Sequence, residues 1–321
     1  MLPTRRVQLV IRCSTRWLLS ITLPAAVLLT FACAMPVRPT ERAPFAGQGE
    51  RLSTISGQPA PTPAVTSSPP TPQRVTFQNG DLTLVGYLFH PDGAGPFPAI
   101  IWNHGSEQNP TMAEFQNVAN IFVPAGYAVL APERRGQGES QGQYIGDAQR
   151  QALQQSGADA EQRLVVQLLS GAQLDDQLAG LSYLESLPYV DQSRLAVVGC
   201  SYGGIETLFA AERGAGFKAA VALSPAAESW DGNASLRARL VQAADNVNIP
   251  IFLIHPEKDV SVAPGYAIAQ ELQKDGKPYK FTIYPPFGTD VQNGHCFGGA
   301  DRIWGRDAVQ FLNQVLGVTS P

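Results

Sequence analysis

From residue 98 to residue 316, apolar strand-like runs alternate with amphipathic helix-like runs, a pattern that predicts an α/β fold: a mostly parallel sheet covered by helices on both faces. Two further observations agree. Runs such as Pro250-Ile251-Phe252-Leu253-Ile254 are apolar at every position, as strands buried on both faces are. Gly199-Cys200-Ser201-Tyr202-Gly203 then sets a glycine-flanked serine between an apolar run and a helical stretch, the pattern of a sharp strand-to-helix turn.

Taken in order, the elements open with a hairpin around Asn79-Gly80-Asp81. A strand follows over 98–103, a helix over 112–124, a strand over 127–132 and a loop over 134–146. Helical segments over 158–187 lead to the strand Arg194-Leu195-Ala196-Val197-Val198, and a helix over 205–213 follows the serine turn. Strands at 217–223, 249–255 and 280–284 alternate with helices at 234–244, 264–274 and 302–316. The interval between 223 and 249 is too short for a large cap, so any partial lid is expected from residues 140–172.

The serine turn has the form of a nucleophile elbow, which pushes the Ser201 hydroxyl out of the sheet. Such a serine needs an acid and a histidine after it in the chain. Asp259 closes the loop Pro256-Glu257-Lys258-Asp259 after an apolar strand and is the expected acid, with Glu257 as its competitor. The chain has four histidines, and of these His295, in the Gly-rich segment after the last strand, occupies the position of the base. His90 and His104 precede the serine, and His255 ends the acid-bearing strand; His90 and His255 are read as hydrogen-bonded structural imidazoles. The oxyanion donors are expected to be the backbone N–H of Tyr202 and that of Ser106, in the loop His104-Gly105-Ser106 after an earlier strand, with Gly105 as fallback. Arg134 and Arg135 are read as solvated or packing groups rather than as lining of an acyl pocket.

Several segments together resemble the dienelactone-hydrolase and prolyl-oligopeptidase-like branch of the α/β-hydrolases, over nearly all of residues 74–318. They are Trp102-Asn103-His104-Gly105, the run from Pro132 to Ser140, the run from Asp175 to Gly204, His255-Pro256-Glu257-Lys258-Asp259 and Gly294-His295. The resemblance implies a serine hydrolase with the triad Ser201, Asp259 and His295. There are two departures. The glycine frame centres on Ser201, whereas the namesake enzymes use a cysteine, and the propeller of the peptidase relatives is not expected upstream. The function expected is therefore that of a carboxylesterase on small or medium acyl substrates, with a peptidase on short peptides as the alternative. A non-catalytic binding protein of the same fold would be expected to have a broken triad; here all three residues stand in order.

Hydrophobic residues make up 44% of the 321 residues and charged ones 16%, enough for a sizeable core of one catalytic domain, expected over 74–321. Residues 1–34 read differently: Arg5, Arg6, Arg12 and Arg16 with no acid, a short apolar run, then Ala32-Cys33-Ala34. That is an export signal rather than a membrane span. It ends in an Ala-x-Ala cleavage site or, slightly favoured, a degenerate lipobox that would leave Cys33 acylated as a membrane tether. The chain is thus expected outside the bacterial cytoplasm, as a lipoprotein or a secreted or periplasmic protein. Residues 35–73, rich in Pro, Thr and Ser, read as a disordered spacer.

Removing the four leader arginines from 23 basic residues leaves 19 against 27 acidic ones, a formal charge of −8, which argues against nucleic-acid binding. Small esters or short peptides are the expected partners, and no cofactor or metal constellation is read from the sequence. Cys200 and Cys296 adjoin the nucleophile and the base, and an oxidising compartment would permit a disulfide. Adjacency in sequence does not make side chains converge, so two small buried thiols are the expectation.

Overall fold

The computed structural model describes residues 69–285, 294–299 and 302–319. The export segment, Cys33 and nearly all of the proline-rich spacer lie outside the described residues, as do 286–293 just before the His295 turn.

Eight strands form one sheet in the order β1-β2-β4-β3-β5-β6-β7-β8. The hairpin pairs β1 (Gln73–Asn79) with β2 (Leu82–Phe89), leaving Gly80-Asp81 as a two-residue turn in which Gly80 takes a φ of 58°. β2 pairs antiparallel with β4 (Ala128–Pro132), and from there every pairing is parallel, through β3 (Phe97–Asn103), β5 (Val190–Cys200), β6 (Ala219–Leu223), β7 (Ile251–Pro256) and β8 (Tyr279–Tyr284). The expected mostly parallel sheet is the one observed.

The period-two geometry of a strand explains how one sheet serves two cores. Along β5, Leu195 and Val197 face one helical layer, while Ala196, Val198 and Cys200 face the other. The first layer holds α3 (Ala158–Ser170), α4 (Ala172–Glu185), α5 (Tyr202–Arg213), α6 (Ala234–Asn246) and α7 (Ala263–Lys274). The second holds α1 (Met112–Phe122) and α8 (Arg302–Leu316), which bury Phe115, Phe122, Trp304 and Leu312 on that face. Side-chain caps fix two starts: Thr111 accepts from the Glu114 N–H and Asn233 from the Leu236 N–H.

One element was not expected. Helix α2 (Ile145–Ser156) joins α3 in a helical pair between β4 and α4, and Ile145 is its one buried residue. Ile145 and Leu153 are its only large apolar side chains, which is why no helix was expected there. The pair falls within residues 140–172, where a partial lid was expected.

Candidate active site

Strand β5 ends at Cys200 and α5 starts at Tyr202, so Ser201 must reverse the chain by itself. It does so at φ 56° and ψ −117°, a backbone conformation that side chains rarely adopt and that costs on the order of 1–3 kcal/mol unless its surroundings hold it. The flanking glycines make this turn feasible. A methyl on Gly199 would stand 2.5 Å from the Gly203 carbonyl oxygen and 2.7 Å from Asn103 Cβ, and one on Gly203 would collide with the Asn103 backbone. Asn103 also donates to Thr207 at 3.1 Å, tying the end of β3 to α5.

Asp259 lies in the loop after β7, and its carboxylate serves two histidines. Nδ1 of His295 is 2.7 Å from Oδ1, and Nδ1 of His255 is 2.9 Å from Oδ2. Burial opposes ionisation of Asp259, but hydrogen bonds from His255 and His295 outweigh it and hold the carboxyl well below its ordinary range. Burial likewise disfavours a charged His295, but the Asp259 hydrogen bond and charge outweigh it, Glu228 and Glu107 add to them, and the net shift is upward. Nε2 of His295 is buried and has no hydrogen-bond partner. His295 and Ser201 both line one cavity of about 620 Å³. Glu257, the competitor for the acid, is exposed, whereas Asp259 is buried.

The loop after β3 is braced from outside. Arg134 donates to the His104 carbonyl at 2.9 Å and also to that of Gly105. Tyr144 donates to the Ser106 carbonyl at 2.9 Å, and Gln137 to that of Glu107 at 2.7 Å. Four consecutive carbonyls are thus held by side chains, which fixes the backbone of the expected donor segment. Ser106 lines the main cavity beside Ser201, and a smaller one of about 230 Å³ together with Ser201 and Tyr202. Arg134 is almost wholly buried, paired with the buried Glu206 on α5 at 2.9 Å, and donates to Gln137 at 2.8 Å. Arg135 pairs with Asp176. Both arginines therefore pack, as expected.

The expectation of two free thiols is corrected: Cys200 and Cys296 form a disulfide, their Cα atoms 6.0 Å apart. The elbow and the His295 turn come together around the main cavity, and Cα atoms so placed suit a bridge. His90 hydrogen-bonds the Pro91 carbonyl region and His255 bonds Asp259, in line with their structural reading. Missed in the sequence were the double grip on Asp259 and the wall formed by Trp102 and Trp304, stacked with ring centres 6.4 Å apart. The single signal for the first was the four-residue spacing from His255 to Asp259 across a strand end.

Comparison with known proteins bears on the family and the fold. A family model described as the dienelactone hydrolase family matches residues 84–313. The quorum-quenching protein AidA of Acinetobacter baumannii is 26% identical over 168 residues, 52% of this chain and 48% of its own length. Among solved structures, Pyrococcus horikoshii acylaminoacyl peptidase has a TM-score of 0.59 at 19% identity, covering 78% of this chain and 42% of the peptidase. An esterase of Pyrococcus furiosus has a TM-score of 0.55 at 18% identity, covering 77% of this chain and 92% of the esterase. The matched segment thus spans less than half the length of the first two proteins. The two structural likenesses show a shared α/β-hydrolase fold.

Proposed function

The chain belongs to the dienelactone hydrolase family, and from that footing we propose that it is a serine carboxylesterase acting on small or medium acyl substrates. One observation carries the reading: His295, tied through Nδ1 to a buried carboxylate, lines the cavity that Ser201 also lines, with Nε2 unpartnered among the described residues. In the proposed reaction Ser201 Oγ attacks the ester carbonyl carbon while His295 Nε2 takes its proton. Asp259 fixes the tautomer and stabilises the imidazolium. The N–H groups of Tyr202 and Ser106 receive the oxyanion. Collapse of the tetrahedral intermediate expels the alcohol, protonated by His295, and water activated by the same base releases the acid.

A second reading, a peptidase on short peptides, has one observation in its favour. Glu107 and Glu228 act on His295 from nearby, and carboxylates there would suit a free amino terminus. A panel of p-nitrophenyl esters and peptide p-nitroanilides separates the two, with esters expected to turn over faster. Ser201→Ala should abolish turnover and covalent labelling by a fluorophosphonate. Labelling that survives this change would reject the assignment of the nucleophile.

For location we propose export, with Cys33 acylated and the spacer giving reach from the membrane. The disulfide beside the nucleophile supports an oxidising compartment. Wild-type protein should sediment with membranes, and Cys33→Ser should either become soluble or accumulate as an unprocessed precursor; a wild-type protein that stays soluble after export rejects the tether.

A further inference from the structure

The disulfide joins the residue before the proposed nucleophile to the residue after the proposed base, 96 positions apart in the chain. Its two ends differ in rigidity. Cys200 is the last residue of β5, a strand paired on both sides, and is almost fully buried. Cys296 sits in a short 3-10 turn, His295–Gly299. Cys296 and Phe297 have φ of 50° and 61°, a region in which non-glycine residues persist only when their surroundings over-determine them. Among the described residues, three restraints act on this turn. Phe297 is buried edge-on against Tyr284, Asp259 hydrogen-bonds His295, and the disulfide ties Cys296 to the sheet. Among the described residues, the disulfide is the restraint that ties the turn directly to the elbow.

We infer that Cys200 and Cys296 are positioning residues, whose bond holds the His295 turn in register with Ser201 and makes catalysis depend on the oxidised state. The inference rests on reading Ser201 and His295 as nucleophile and base. Both cysteines line the main cavity, so a small dithiol can reach them. In that exchange the sulfur–sulfur bond breaks, the reductant supplies two electrons and two protons to form two thiols, and it closes to its own cyclic disulfide.

The test uses the whole protein, first oxidised and then treated with dithiothreitol below its melting temperature, with thiols counted by mass spectrometry. Oxidised enzyme should hydrolyse p-nitrophenyl esters; failure here counts against the proposed function, not against the clamp. Reduction should lower kcat by about 100-fold, the scale of an ångström-sized misplacement of a catalytic group, with KM little changed. It should also move the acid limb of the pH profile downward, because His295 loses its hold on Asp259. Reoxidation should restore both, and Cys296→Ser should behave like the reduced enzyme. Unchanged kcat and pH profile in fully reduced protein would overturn the inference. So would free thiols in active enzyme, or global unfolding on reduction, since the bond would then hold the fold and not the base.

Discussion

His255 Nδ1 lies 2.9 Å from Asp259 Oδ2, so the carboxylate that meets His295 with one oxygen is anchored through the other by a fully buried imidazole four residues earlier. A carboxylate held at both oxygens cannot rotate, and its direction fixes the direction of His295. His255→Ala should therefore lower kcat by about 10-fold or more, the scale of one hydrogen bond to a charged group of ~1.5–3 kcal/mol, with KM little affected. His255→Asn, which keeps a donor on a shorter side chain, should recover part of the loss. Steady-state kinetics on folded variants check this, and a change confined to KM would remove His255 from the orienting role.

That relationship also shows where sequence reading stops. Strand β7 is legible because Ile251 through Ile254 are apolar and all buried between helices, and the elbow is legible because glycines at 199 and 203 have a steric reason to be there. Helix α2 is not, since a helix with two large apolar residues, of which only Ile145 is buried, gives a weak apolar signal. The Cys200–Cys296 bond and the two histidine hydrogen bonds on Asp259 depend on side-chain directions, which no local pattern encodes.

The pH dependence follows from the electrostatics of His295. Its protonated form is favoured by Asp259, Glu228 and Glu107, so its pKa is raised and activity should fall on acidification with a midpoint above the ordinary value of 6.5. Removing a negative charge favours the neutral imidazole. Glu228→Gln should therefore shift the acid limb of kcat/KM to lower pH, and the shift should be small because Glu228 is exposed and salt screens it. The profile at low and high ionic strength is the measurement. An upward shift in the variant would mean that Glu228 does not face the base.

Arg134 ties the loop after β3 to α5. Its guanidinium reaches Glu206, the carbonyls of His104 and Gly105, and Gln137 at once. An ammonium cannot cover that fan of acceptors in one plane. Arg134→Lys keeps a charge opposite Glu206 but should loosen the 104–106 segment, lowering kcat by about 10-fold while the protein still folds. Burial pushes Glu206 up to about 7 against the pull of Arg134, so its ionisation should cost stability as the pH rises from the ordinary 4.5 towards 7. Glu206→Gln cannot ionise and should lack that loss. Thermal melts with kinetics distinguish the two effects. A lysine variant with lowered melting temperature and normal kcat would make Arg134 a packing group alone.

The charge of the main cavity bears on which esters enter it. Among the described residues its lining includes Glu107, Glu114 and Glu228 and no lysine or arginine. Glu114 accepts from Trp102 Nε1, so one carboxylate is fixed in the wall, while Glu107 and Glu228 are exposed at the rim. An anionic substrate would meet the exposed Glu107 and Glu228 carboxylates, with no lysine or arginine among the described lining residues. At water-like screening each close pair is worth about 1 kcal/mol, so an ester whose acyl chain ends in a carboxylate should have a kcat/KM about 10-fold below that of its neutral isostere. Raising the salt concentration should narrow the gap, and Glu228→Gln should narrow it further. The comparison of p-nitrophenyl butyrate with the p-nitrophenyl half-ester of succinate makes the test. Equal rates at low salt would mean that acyl groups bind away from these carboxylates, against the Trp102 and Trp304 wall.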